Sequence, residues 1–152
     1  MGLEEDIFLL RKIELFASFD NEPLRLLAFG AEKMQLKRGT TLFQEGDTSD
    51  SAYLVMHGGI DLMRAHGDQE FTVESVSSGA LIDEMALITR MTRSASAITR
   101  TNCELMRIGR SQFRRILEEY PQLAANLHEV ITRRFQEMVA RMSEVQSRLG
   151  DD

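Results

Sequence analysis

Residues 79–99 read GALIDEMALITRMTRSASAIT, and this stretch decides the fold. It sets a carboxylate, Glu84, nine residues ahead of an arginine, Arg93, which Ser94 and Ala95 follow directly. Gly79 opens the segment, a short apolar turn (Met85, Ala86, Leu87) follows the glutamate, and small β-prone residues close it. Such an arrangement suits a pocket for a small sugar phosphate. A carboxylate only accepts hydrogen bonds, so it suits a hydroxyl pair such as a ribose edge. An arginine fork matches two phosphate oxygens with charge-assisted bonds. Amides at the start of a short helix add positive potential aimed at an anion.

Gly79, Glu84, Met85, Ala86, Leu87, Arg93, Ser94 and Ala95 together resemble the phosphate-binding cassette of the cyclic nucleotide-binding domain family. The resemblance covers roughly residues 5–145. It implies a mainly β fold with flanking helices: a double-stranded β-helix, or jelly roll, with N-terminal helices and a long C-terminal helix. It also implies cAMP or cGMP as ligand, with Glu84 on the ribose hydroxyl and Arg93 with Ser94 on the cyclic phosphate.

One position departs from the family pattern. Asp83 stands where a glycine is expected before the glutamate. Glycine there lets the backbone approach a ligand with no side chain in the way. Aspartate brings a negative charge toward an anionic phosphate, a repulsion on the order of 1 kcal/mol or more where water is excluded. Its side chain has two open roles. It caps the short helix that begins at Glu84, or it pairs with Arg93 and occupies the anion site itself. Either role weakens the pocket.

Outward from the cassette, the chain divides into three regions within one expected domain, 1–152. Residues 1–30 read as helical: Ile7, Leu10, Ile13 and Phe16 recur at helix spacing, and Asp20 is set to cap a second helix with Pro23 in its first turn. Residues 32–109 read as short strands separated by glycine- and aspartate-rich turns, the pattern of a β-sandwich or jelly roll, and the resemblance implies a β-roll there. Gly39, Gly46, Gly58 and Gly79 fall at the expected strand corners. Two strands follow the cassette, Ser96 to Thr99 and Cys103 to Ile108. Residues 110–150 read as helices, the first over Ser111 to Tyr120 and the second opening on Pro121.

In the last helix Leu127, Ile131, Phe135, Met138, Met142, Val145 and Leu149 recur at spacings of three and four, an a/d seam of about three heptads. The seam packs on its own barrel or on a second copy. Its outer part, from Met138, extends further than a barrel lid needs, and a homodimer is expected. The resemblance makes this helix both lid and dimer interface. Aligned on Arg133-Arg134, Met138 and Val139 stand where a family member carries a hydroxyl pair against adenine. An apolar pair packs on a base but does not read its polar edge.

Composition bounds the remainder. The 152 residues carry a formal charge of −6 and are 43% hydrophobic, enough for one domain with a real core. The negative balance argues against nucleic acid as a partner. No run approaches a membrane span, and acids precede the first apolar patch, the wrong order for a secretory signal. A single cysteine, Cys103, builds no internal disulfide or metal cage. His57, His66 and His128 share no metal-ligand spacing, and no catalytic constellation is present. A cytoplasmic, non-enzymatic protein without metal or cofactor is expected. The chain stops at Asp152, directly after the dimer helix, so no DNA-reading domain is expected and output passes through an effector protein. Two functions are consistent with these residues: a cyclic nucleotide sensor, or a nucleotide-free member of the same fold that acts through protein contacts.

Overall fold

The computed structural model describes residues 2–150, with the side chains of 147–150 excepted. The chain divides into two compact units between Ile116 and Leu117. The first opens with α1 (Gly2–Arg11), a 3₁₀ turn (Glu14–Phe16) and α2 (Asn21–Gly30). Helix α1 stops earlier than the apolar spacing predicts. Ile13 is extended at φ −77° and ψ 129°, so Ile13 and Phe16 leave the helix and turn inward on their own. Asp20 takes the N-cap position of α2 with extended backbone, yet its side chain makes no capping bond. Pro23 lies in the first turn, where a missing N–H costs nothing.

Ten strands follow: β1 (Glu32–Leu36), β2 (Thr41–Phe43), β3 (Thr48–Ser49), β4 (Ser51–His57), β5 (Gly59–His66), β6 (Gln69–Ser77), β7 (Leu81–Ile82), β8 (Met91–Thr92), β9 (Ser96–Thr99) and β10 (Cys103–Gly109). They form two four-stranded antiparallel sheets, ordered β1-β10-β4-β7 and β2-β9-β5-β6, with a small β3-β8 pair beside them. This is the jelly roll that the cassette resemblance implies. The two-residue strands β3, β7 and β8 are too short to show a period of two in the sequence, and only pairing reveals them.

The core lies between the two sheets. Tyr53, Val55, Ile82, Cys103 and Leu105 from the first sheet meet Phe43, Ile60 and Ala97 from the second, with Leu62 and Val76 packed at the margin. A second apolar cluster fixes the N-terminal helices. The Phe16, Phe19 and Phe113 rings lie 5.5–6.1 Å apart, with Phe19 and Phe113 stacked at an interplanar angle of 8°. Such aromatic pairs add about 0.5–1.5 kcal/mol beyond their buried area. Phe113 belongs to α3 (Arg110–Glu119), so this cluster ties the start of α3 to the chain's beginning.

In the second unit, α4 (Pro121–Gly150) runs for 30 residues, about 45 Å at the helical rise. Phe135, Met138, Met142 and Val145 are exposed along it. The side chain of Leu149, the last position of the seam, lies outside the described residues.

Candidate functional site

Five of the strand corners require a left-handed backbone, and glycine fills each of them. Gly79 turns the chain from β6 into β7 at φ 96° and donates its N–H to the Val55 carbonyl at 2.8 Å. That bond fixes the start of the cassette against β4. The cassette next makes a 3₁₀ turn, Glu84–Leu87, with Ala86 and Leu87 buried beneath it. Met85 and Glu84 remain partly buried on its outer side.

Asp83 precedes this turn at φ 59° and ψ 49°, the only non-glycine residue with positive φ among the described residues. Its side chain makes no cap bond to the turn. It is instead committed to Arg93, with Oδ2 2.9 Å from Nη1. Of the two roles open to Asp83, the structure therefore shows the pairing and not the cap. The left-handed backbone explains why the family pattern favours glycine here: an L-residue in this region is strained, and aspartate is among the few side chains that tolerate it.

Arg93 is 4% exposed and points into the roll. Its backbone is pinned in both directions, the N–H to the Asp47 carbonyl at 2.7 Å and the carbonyl to the Gly46 N–H at 2.9 Å. The guanidinium carbon lies 4.4 Å from the centroid of the Phe43 ring and 5.4 Å from that of Tyr53. Nη1 donates to the Ser51 carbonyl as well as to Asp83, both at 2.9 Å, and Nη2 reaches the Ser51 hydroxyl at 3.3 Å. Nε is buried with no hydrogen-bond partner. The Nε–Nη2 edge is the one that a phosphate takes with two parallel bonds. Here it carries one long bond and one unmet donor. A buried unmet donor costs about 1–3 kcal/mol, so an acceptor at this edge is favoured.

Asp83 also stands on the wall of a cleft of about 460 Å³, lined by Lys12, Ile13, Glu14, Leu81, Glu84, Met85 and Met91. Asp83 thus lines the same cleft as Glu84 and Lys12, while its carboxylate holds the guanidinium of Arg93. Ser94 is exposed and accepts from Arg64 Nε through its carbonyl at 2.9 Å, and Ala95 is buried. Beside Ser51, Asp50 is bonded to Arg107 Nη2 at 3.1 Å. Against the opposing pull of partial burial, a bond from Ser51 and the Arg107 charge hold the Asp50 carboxyl below its ordinary value. Met138 and Val139 are exposed on α4, in the other compact unit.

Sequence reading missed Phe43, Tyr53 and Ser51 as partners of the arginine. Phe43 and Tyr53 carry a strand-core signature that does not distinguish packing on a neighbour from packing on a cation. Ser51 contributes mainly a backbone carbonyl, which no side-chain pattern encodes. Among the described residues no group of histidine, cysteine and carboxylate side chains gathers for a metal, and no helix is long and apolar enough to cross a membrane.

Comparison with known proteins bears on the same segment. The family pattern described as Cyclic nucleotide-binding domain matches residues 33–120. The cyclic AMP receptor protein of Thermus thermophilus is 32% identical over 124 residues, which cover 81% of this chain and 57% of that protein. The chain thus spans little more than half the length of that relative. The solved structure of a cyclic nucleotide-binding-like protein from Brucella abortus is 46% identical, with a TM-score of 0.72, covering 75% of this chain and 98% of that one. The regulatory domain of Toxoplasma gondii PKA, crystallised with cAMP, is 27% identical with a TM-score of 0.70, covering 74% of this chain and 43% of that chain.

Proposed function

The chain belongs to the cyclic nucleotide-binding domain family, and we propose that it is a regulatory module that senses cAMP or cGMP and signals to an effector protein. The family is one of regulatory binding domains, and the fold supports such a role for this chain. The observation that carries the proposal is Arg93: buried, stacked on Phe43 and Tyr53, and holding an unmet Nε donor at its fork edge. In the bound state Arg93 and Ser94 hold the cyclic phosphate, and Glu84 accepts the ribose hydroxyl. Gly79, Met85, Ala86 and Ala95 shape the backbone around them. Met138 and Val139 carry no group that reads a polar base edge, which favours weak discrimination between adenine and guanine.

The exposed apolar side chains of α4 support a homodimer through Ile131, Phe135, Met138, Met142, Val145 and Leu149. Contiguous apolar surface of this kind marks interaction sites on soluble proteins. In this reading the module works in the cytoplasm, carries out no chemistry of its own, inserts into no membrane and, with a net charge of −6, binds no DNA directly.

A second reading is favoured by one observation, the carboxylate of Asp83 on Arg93. In that reading the aspartate is the permanent anion of the cassette, and the fold serves protein contacts alone. Thermal unfolding of ligand-stripped protein with millimolar cAMP, cGMP and AMP in parallel separates the two. A micromolar ligand at that excess adds about 3–4 kcal/mol and raises the midpoint by several degrees. A rise with a cyclic nucleotide and none with AMP supports the sensor. No rise with any of the three moves the assignment to the nucleotide-free module.

A further inference from the structure

We propose that Phe43 and Tyr53 are positioning residues for ligand capture: their rings seat the Arg93 guanidinium so that its Nε–Nη2 edge stays open to the phosphate. The proposal rests on the sensing function above. The two rings come from different sheets, Phe43 from the end of β2 and Tyr53 from β4. Their centroids lie 5.8 Å apart at an interplanar angle of 32°. The Arg93 guanidinium carbon is 4.4 Å from the first centroid and 5.4 Å from the second. These three lengths place the rings side by side rather than on opposite sides of the cation. Together they form one aromatic platform, built jointly by the two sheets.

Such a platform does what a polar neighbour cannot. Every acceptor that holds a guanidinium occupies one of its N–H donors. Nη1 is occupied by the Ser51 carbonyl and by Asp83, both at 2.9 Å. That anchor fixes one corner of the group and leaves the remainder free to swing about it. Aromatic rings attract the cation through their electron-rich faces and bring no lone pair, the more strongly where water is excluded. Both rings are buried, at 8% exposure each. Arg93 is therefore held close while Nη2 keeps only its 3.3 Å contact with the Ser51 hydroxyl and Nε keeps no partner.

The platform is also indifferent to which anion is bound. A cyclic phosphate that takes the fork competes with the Asp83 carboxylate for the same guanidinium. Uncharged rings attract the cation alike with either anion, so Arg93 stays in register through the exchange. Leucine at either position fills space but attracts no cation.

Calorimetric titration of cAMP and cGMP into wild type and four variants, with thermal unfolding of each, tests the assignment. Phe43→Leu removes the nearer ring and should weaken nucleotide binding about tenfold. Tyr53→Leu removes the farther ring and should weaken it about threefold. Phe43→Tyr restores a ring and should bind within about twofold of wild type. Ile60→Val trims the same core cluster and leaves both rings in place, so it should lower the midpoint while affinity stays within about twofold. Nitrogen–proton NMR of the ligand-free protein reads the seat directly. The Arg93 Nε–H signal, identified by its loss in Arg93→Lys, should move in Phe43→Leu and hold its place in Ile60→Val. Wild-type affinity in Phe43→Leu overturns the proposal and leaves the sensor standing. An equal loss in Ile60→Val overturns it as well, because general loosening of the core then explains the effect. If Phe43→Leu does not fold, the contrast between Tyr53→Leu and Ile60→Val decides in the same way. Wild-type protein that binds neither nucleotide removes the sensor, and this proposal with it.

Discussion

Asp83 holds Arg93 from a backbone conformation that the rest of the described chain gives to glycine, with Oδ2 2.9 Å from Nη1 and φ at 59°. Strain and ion pairing are thereby joined in one residue. The pair is mostly shielded from water, Arg93 at 3% and Asp83 at 18% side-chain exposure. Arg93 has replaced its hydration with a carboxylate, a carbonyl and two aromatic faces.

Replacing Asp83 with glycine should expose the two terms separately. Glycine relieves left-handed strain of about 1 kcal/mol. It also strands a buried guanidinium, a loss of about 3–5 kcal/mol for a fully buried pair and less here because Asp83 retains some water. The ligand-free Asp83→Gly protein should be less stable by about 2 kcal/mol, seen as a midpoint about 4–8 °C lower in thermal unfolding. The same substitution should enlarge the rise produced by cyclic nucleotide, since the phosphate then supplies the missing anion. An unchanged ligand response would remove Asp83 as the determinant of affinity.

Arg93→Lys distinguishes charge from fork. Lysine reaches Asp83 as a point charge but presents no Nε–Nη2 edge and stacks poorly on Phe43. Circular dichroism should show an intact fold, while nucleotide affinity should fall about tenfold or more, the worth of one lost charge-assisted bond. Arg100→Lys is the control, since Arg100 pairs with Asp61 and lies away from the cassette.

How legible these features are in sequence depends on the range of the interaction that makes them. The 3₁₀ turn, the flanking strands β9 and β10 and the Pro121 start of α4 follow from local pattern, and the structure places them within a residue of expectation. The spacing of strands and turns left a β-sandwich or a jelly roll open, and the resemblance of the cassette implied the jelly roll. Helix α1 ends early because Ile13 is drawn inward, a tertiary effect invisible to periodicity. The aspartate at the glycine position was visible as a departure, but two fates for its carboxylate remained equal on sequence alone. Only the position of Arg93 over Phe43 and Tyr53, brought together from three different strands and loops, chooses between them.

Asp61 offers a stability test on the sheet away from the cassette. Its carboxylate accepts from the Ser75 hydroxyl at 2.8 Å and from Arg100 Nη1 at 2.7 Å. The Ser75 bond first, and then Arg100, hold the Asp61 carboxyl below its ordinary value of 3.8. A carboxyl with a lowered folded-state value stabilises the fold above its unfolded value and loses that contribution as pH falls through the folded one. Asp61→Asn should therefore unfold at lower urea than wild type at about pH 7, and the two midpoints should converge below about pH 3. A gap that stays constant with pH would assign the effect to packing rather than to charge.

The proposed dimer makes its own prediction from α4. Phe135 is 60% and Met142 is 58% exposed, positions at which a soluble monomer gains nothing from an apolar side chain. In a paired helix the same residues fall at a/d positions and enter a partner's holes, where a charge is excluded. Met142→Glu should therefore convert a dimer to a monomer in sedimentation equilibrium at micromolar protein. Because association stabilises by mass action, the wild-type unfolding midpoint should rise with protein concentration and that of Met142→Glu should not. A wild-type protein that sediments as a monomer, with a midpoint independent of concentration, would mean that the apolar stripe of α4 serves a different partner.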